Sequence, residues 1–168
     1  ISDTPDLCSL ADVGPNGNYR RGGCCAVLRH GISDPRIFMM CTHACYNKRP
    51  NSRFAPLYRM MEERFNAERL PSFFVGDMNA TPESDASKVF REYWLDTYDL
   101  ANPSVRLGPE NTYNAYKSPT GLSRIDYIYC RGASVSVESY RCESSLYSGG
   151  YASDHFPVSA VIRIGSGL

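Results

Sequence analysis

The chain has 168 residues, 42% hydrophobic and 12% aromatic, which is the size and apolar content of one globular domain and excludes a disordered tract. Eighteen Lys and Arg balance eighteen Asp and Glu, so no overall positive field draws nucleic acid in by counterion release. No apolar run reaches membrane-spanning length, and no block of Lys or Arg marks a surface anchor.

Residues 1–23 are rich in Asp, Pro, Gly and Asn, with a turn signal at Gly14-Pro15-Asn16-Gly17, and predict a long loop. Strands are predicted over 24–28 and 37–42, separated by a polar turn at 31–35, which leaves His43 at the exit of the second. Phe54, Leu57, Met61 and Phe65 then recur at helical spacing, and Pro71 stops that helix from continuing. Phe73-Phe74-Val75 predicts a short buried strand that delivers Asp77 and Asn79 at its end. Ser84 can cap a shorter helix whose apolar face carries Val89, Phe90, Tyr93 and Trp94, a face better explained by core packing than by function. Residues 99–123 predict loop, and alternating strands follow over 125–130, 134–140 and 156–164. With no repeats and no dividing linker, this order predicts a single layered α+β domain.

Seven cysteines, Cys8, Cys24, Cys25, Cys41, Cys45, Cys130 and Cys142, cannot all pair within the chain. Most lie in apolar runs, where a thiol behaves as a small hydrophobe. That leaves localisation open and tilts it towards a reducing, cytoplasmic setting. Cys41-x-His43-x-Cys45 has zinc-ligand residue types, but it lacks both the two-residue spacer and a second well-spaced pair, so structural zinc is the weaker reading.

Four segments carry the chemistry: Cys41-Thr42-His43, Gly76-Asp77-Met78-Asn79, Arg124-Ile125-Asp126-Tyr127 and Ser153-Asp154-His155-Phe156-Pro157-Val158. Each sets a carboxylate, amide or imidazole beside an apolar β-type run, so the polar groups emerge from strand ends and converge above a sheet. Phosphoester hydrolysis requires such convergence. An anionic ester resists water, and the protein must supply a metal ion, donors for the phosphate oxygens and an oriented base.

The order and wording of these segments resemble the endonuclease/exonuclease/phosphatase superfamily, which has a deoxyribonuclease I-like fold. Its Gly-Asp-x-Asn strand end, Arg-Ile-Asp-Tyr strand and closing Ser-Asp-His are all present. Ser2-Asp3-Thr4-Pro5 and Thr112-Tyr113-Asn114-Ala115-Tyr116 are also similar to Ser-Glu-Thr-Pro and Thr-Phe-Asn-Gly-Phe of a bacterial-type branch. The resemblance implies a β-sandwich flanked by helices. It further implies a divalent-metal-dependent phosphodiesterase or phosphatase that directs water in line at phosphorus. Family domains begin with strands carrying an Asn and then a Gln-Glu pair whose Glu is the principal metal ligand. No such segment precedes Ile1, so residues 1–168 read as the C-terminal portion of one such domain, with the missing N-terminal half as a partner.

Roles follow from the resemblance position by position. His155 takes a proton from water or polarises the phosphate, and Asp126 hydrogen-bonds to it and fixes its tautomer. Asp154 matches a metal ligand whose hard oxygen suits Mg2+ or Mn2+. Asp77 orients or deprotonates the attacking water, and Asn79, two positions on, donates to a phosphate oxygen; whether Asp77 or His155 is the general base stays open. His43 matches a second histidine that donates to the phosphate or assists the leaving group, although Ala44-Cys45 departs from the usual continuation. Arg21 aligns with a phosphate-binding arginine, with Arg20 an equal chemical candidate. Tyr113 and Asn114 are candidates for the substrate mouth, where an aromatic can stack on a base or sugar, and turn structure explains them almost as well. The substrate stays open among nucleic acid, nucleotide, lipid headgroup and sugar phosphate. The Arg124 segment is unlike that of inositol polyphosphate phosphatases. The alternative is a non-catalytic binding or scaffold module that keeps the site as a relic.

Overall fold

A computed structural model describes residues 6–8, 23–29, 31, 35–44, 54–132 and 135–165. The strands are β1 (Asp6–Cys8), β2 (Gly23–Leu28), β3 (Ile37–His43), β4 (Ser72–Asp77), β5 (Leu95–Asp96), β6 (Arg106–Leu107), β7 (Asp126–Arg131), β8 (Val135–Cys142) and β9 (Val158–Ile164). Six of them form one sheet in the order β1-β2-β3-β4-β7-β5, and β6-β8-β9 form a second. Within the larger sheet only β3 and β4 run parallel. Helix α1 (Phe54–Phe65) makes the crossover that a parallel pair needs. Two further helices, α2 (Asp85–Tyr93) and α3 (Thr97–Leu100), follow β4. The architecture is the expected α+β fold, with two sheets and flanking helices.

Strand register sets a fully buried row across the larger sheet. Cys25 pairs with Met40, Met40 with Phe74 and Phe74 with Tyr129, and all four are buried. Onto this row α1 and α2 lay Tyr58 and Phe90, with Trp94 just past the end of α2. Phe74 sits 4.6 Å from Tyr58, 5.7 Å from Phe90 and 5.3 Å from Trp94 between ring centroids. Aromatic pairs at such spacing add cohesion beyond the area they bury. Ser84 caps α2, its hydroxyl accepting from the Ser87 N–H at 3.2 Å, and Trp94 closes the far end.

Three local features depart from the sequence reading. The stretch predicted as an unbroken loop over 1–23 contains β1, because Leu7 and Cys8 pair with Cys24 and Gly23 at the sheet edge. On α1 the buried residues are Ala55, Tyr58, Met61 and Glu62, so Met61 of the expected stripe is buried and Phe65 packs partly buried against the core, while Leu57 points outward. Both stripes have helical spacing, and the chance to place Tyr58 against Phe74 selects between them. Within 99–123, α3 begins at a cap on Asp96, a 3-10 turn spans Pro103–Val105, and β6 joins the smaller sheet. Each is too short to leave a periodic signal.

Candidate active site

A second row crosses three of the four strands of the buried row, β3, β4 and β7. His43 pairs with Asp77 in register, and Asp77 pairs with Asp126. It lies three residues from the buried row on every strand: Met40 to His43, Phe74 to Asp77, Tyr129 to Asp126. Three is odd, so these side chains project from the face opposite the aromatic core, about 10 Å further along the strands. One register thus builds the core on one face and the polar cluster on the other.

The end of β4 is shaped by its sequence. Gly76 has φ +135°, and a Cβ there would meet the Thr42 carbonyl oxygen at 1.9 Å, so only glycine lets β3 and β4 close at this point. Met78 is fully buried and anchors the turn, and Asn79 adopts a left-handed conformation with φ +46°, which asparagine tolerates better than most residues. Asp77 Oδ1 accepts from the Asn79 backbone N–H at 2.7 Å. Its Oδ2 lies 3.1 Å from His43 Nε2 and 3.2 Å from Asn79 Nδ2. The second Asn79 amide bond goes to the Ala44 carbonyl at 3.0 Å, so Asn79 holds Asp77 to the exit of β3. Burial pushes the Asp77 carboxyl up, Asp126 adds to the rise, and the Asn79 N–H and the two histidines offset part of it.

His155 comes from a loop rather than a strand. Its Nδ1 lies 2.8 Å from Asp126 Oδ2, and Tyr113 stands edge-on to its ring at 5.2 Å. Burial alone would pull the His155 ring down, but the Asp126 hydrogen bond and charge, with Asp77 and Asp154, outweigh it and hold the ring above its ordinary value of 6.5. Asp154 is half-buried beside it, its Oδ1 3.3 Å from the Ser153 hydroxyl. His43, Asp77, Asn79, Tyr113, Asp126, Asp154 and His155 share the lining of one open cleft of about 680 Å³ with Ser123 and Ile125. Ligand atoms of Asp77, Asp126 and His155 lie within 4.8 Å of one another. Asp154, the metal ligand expected from the sequence, lines the cleft but stands outside that triplet.

One expected substrate contact is placed differently. Asn114 is fully buried. Its Nδ2 donates to the Ser153 carbonyl at 3.1 Å, its Oδ1 accepts from the Tyr116 N–H, and its own N–H donates to the Asp154 carbonyl at 2.7 Å. It therefore ties down the loop bearing Asp154 and does not face the cleft. Arg21, with Arg20, lies outside the described residues. Arg124, at the head of the Arg-Ile-Asp-Tyr segment, turns away into the protein, where it pairs with buried Asp96 at 2.7 Å. Thr112 was not singled out as a site residue by the sequence reading, yet its hydroxyl lies 2.6 Å from Asp126 Oδ2. Its position at the head of the Thr112–Tyr116 segment was the available signal. Cys24, Cys41, Cys130 and Cys142 carry free thiols.

The sequence matches the Endonuclease/Exonuclease/phosphatase family over residues 4–155. No curated protein matches it. Among solved structures it is similar to the mannosyl-6-phosphatase of Bacteroides thetaiotaomicron VPI-5482, at 20% identity and TM-score 0.80, over 96% of this chain and 66% of that one. The endonuclease/exonuclease/phosphatase from Bacteroides vulgatus matches at 20% identity and TM-score 0.80, over 96% and 65%. D. rerio TDP2 complexed with single-strand DNA product matches at 16% identity and TM-score 0.68, over 95% and 67%. The chain thus spans about two thirds of the length of these structures.

Proposed function

We propose that this chain, which belongs to the Endonuclease/Exonuclease/phosphatase family, contributes the catalytic centre of a divalent-metal-dependent phosphoester hydrolase that directs water in line at phosphorus. The observation that carries this reading is the pair of carboxylate–imidazole contacts, His43–Asp77 and His155–Asp126, side by side on one cleft. Such a cleft can accept a proton at one point and donate one at another.

Asp77 serves as the base. Burial raises its carboxyl, which makes it a stronger proton acceptor than an ordinary carboxylate. Asn79 orients Asp77 with one amide hydrogen and holds the Ala44 carbonyl with the other, and exchanging one of these bonds would let it donate to a phosphate oxygen. His155 has Nδ1 committed to Asp126, which leaves Nε2 to donate to the phosphoryl group. His43, with its side chain 55% exposed, stands at the rim, where it can meet the leaving group. Tyr113 offers a ring face or edge to the esterified group.

The donor set fits Mg2+ or Mn2+. These ions bind hard oxygen, use one or two carboxylates and keep several waters, and Asp154 presents such a carboxylate to the cleft. When bound, the ion would neutralise charge on the phosphate. Within the Asp77, Asp126 and His155 triplet, Asp126 Oδ2 and His155 Nδ1 are bonded to each other, and Asp77 is bonded to Asn79 and His43. A further segment is part of the proposal. On the face bearing the site row, Cys41 is exposed and Val75 and Ile128 are only half-buried, an apolar surface suited to another packed element.

The balanced charge favours a small phosphomonoester or phosphodiester over long duplex DNA. Incubation with a sugar phosphate, a small phosphodiester and duplex DNA, with Mg2+, with Zn2+ and with EDTA, tests the assignment. Hydrolysis of a small ester that Mg2+ sustains and EDTA abolishes is expected. Absence of turnover on every substrate, in the chain joined to its covering segment, would favour a binding module with a relic site.

A further inference from the structure

We infer that Thr112 is a positioning residue for the Asp126–His155 pair, fixing which ring nitrogen of His155 carries the proton. Its consequence for catalysis rests on the hydrolase reading above. Its evidence is hydrogen-bond accounting. Thr112 is fully buried. Its hydroxyl oxygen lies 3.1 Å from the backbone nitrogens of both Ile125 and Asp126, and 2.6 Å from Asp126 Oδ2.

A hydroxyl has one proton and two acceptor lone pairs. The two backbone N–H groups can only donate, and they occupy both lone pairs. The Thr112 proton is therefore committed to Asp126 Oδ2. With that proton pointing at it, Asp126 Oδ2 is an acceptor at this contact. The same Oδ2 lies 2.8 Å from His155 Nδ1. Two acceptors cannot bond, so Nδ1 carries a hydrogen, and in the neutral ring the lone pair falls on Nε2.

The main chain of Thr112 couples the two partners as well. Its N–H donates to the Ser123 carbonyl at 2.9 Å, three residues before Asp126, and its carbonyl accepts from the Phe156 N–H at 2.7 Å, one residue after His155. Thr112 is thus hydrogen-bonded to the segment of each partner, with its hydroxyl on the oxygen they share.

The test is the tautomer of His155, read from Nδ1 and Nε2 chemical shifts with 15N-labelled histidine. His155→Gln assigns its signals among the chain's three histidines. Wild type and Thr112→Ser should hold the neutral ring in the Nδ1–H form. Thr112→Val, which keeps the shape and removes the hydroxyl, should show a mixture with Nε2–H and lower kcat by about tenfold or more, with KM little changed. The wild-type Thr112 hydroxyl proton should exchange slowly with water. An Nε2–H ring in wild type, a freely exchanging Thr112 hydroxyl, or an undiminished Nδ1–H form in Thr112→Val would each overturn the inference. The first two need no folded variant. If wild type hydrolyses nothing while the tautomers follow this pattern, the functional reading fails and the positioning role stands.

Discussion

Replacing Arg124 by Met should destabilise the chain by about 3–5 kcal/mol, because it strands a buried carboxylate. Arg124 Nη1 lies 2.7 Å from Asp96 Oδ2, with the two side chains 2% and 1% exposed. The guanidinium also packs against the rings of Tyr98 and Tyr127, at 4.5 and 4.8 Å from their centroids. Met fills similar volume, so the loss is one of charge more than of packing. Arg91, at 3.8 Å, remains as the other cation beside Asp96. At roughly 2–4 °C per kcal/mol for a chain of this size, the midpoint should fall by about 6–20 °C.

The pH dependence of that loss has a definite sign. Burial raises the Asp96 carboxyl above its ordinary 3.8 in spite of Arg124, and removing the guanidinium raises it further. As pH climbs, the unfolded chain ionises first, and ionisation then costs the folded state. The deficit of the variant should therefore be smallest near about pH 4 and largest near neutrality. Urea unfolding followed by the fluorescence of Trp94, the sole and buried tryptophan, measures both. Adding Asp96→Asn should recover most of the stability. A loss below about 1 kcal/mol at neutral pH, or one that grows in acid, would refute the reasoning.

In the complete protein, Asp77→Asn and His155→Ala should each cut turnover by about a hundredfold or more, with the unfolding midpoint almost unchanged for Asp77→Asn and, for His155→Ala, almost unchanged once measured near about pH 9, as activity and denaturation assays can show together. Gly76→Ala should misfold or lose several kcal/mol, on the order of a severe backbone clash, since its Cβ has no room against the Thr42 carbonyl; circular dichroism of the variant checks this. His155, held above 6.5 because Asp126 outweighs burial, contributes stability that is complete below the unfolded value and lost as pH rises through the raised one. Wild type and His155→Gln should accordingly differ most near about pH 6 and converge near about pH 9 in unfolding free energy.

The strands and helices that own long apolar patterns were legible in the sequence: β2, β3, β4, β7, β8 and β9 fall within a residue or two of their predicted spans. The convergence of the four polar segments on one cleft was legible too, because each motif couples an apolar run to its polar end. What the sequence hid was which neighbour each polar group would choose. Asn114 and Thr112 belong to one segment, and only Asn114 reads as a candidate, yet Asn114 turns to the Ser153 and Tyr116 backbone while Thr112 reaches Asp126. Arg124 carries a charge fit for a phosphate, but Asp96 waits beneath it at the cap of α3. Asp96 sits in a two-residue strand with no periodic signature, so the partner that claims Arg124 was invisible. On α1 the stripe departs at one position for a related reason, since Leu57 and Tyr58 are equally apolar in pattern and Phe74 selects Tyr58, while Met61 and Phe65 face the core as expected.

The three-residue offset between the buried row and the site row explains why the two sets of predicted effects separate. Met40, Phe74 and Tyr129 bury their side chains among the helices, and His43, Asp77 and Asp126 leave the same strands on the other face. A change at Asp77 therefore removes a proton acceptor without opening a hole among Phe74, Phe90 and Trp94. Gly76 and Arg124 flank the site row in sequence, yet one packs backbone against backbone and the other serves a buried ion pair, so their cost falls on folding. Thr112 joins both domains of effect. Its hydroxyl is buried like a core residue, and its single proton reaches the dyad, so its loss should register in the imidazole tautomer as well as in stability.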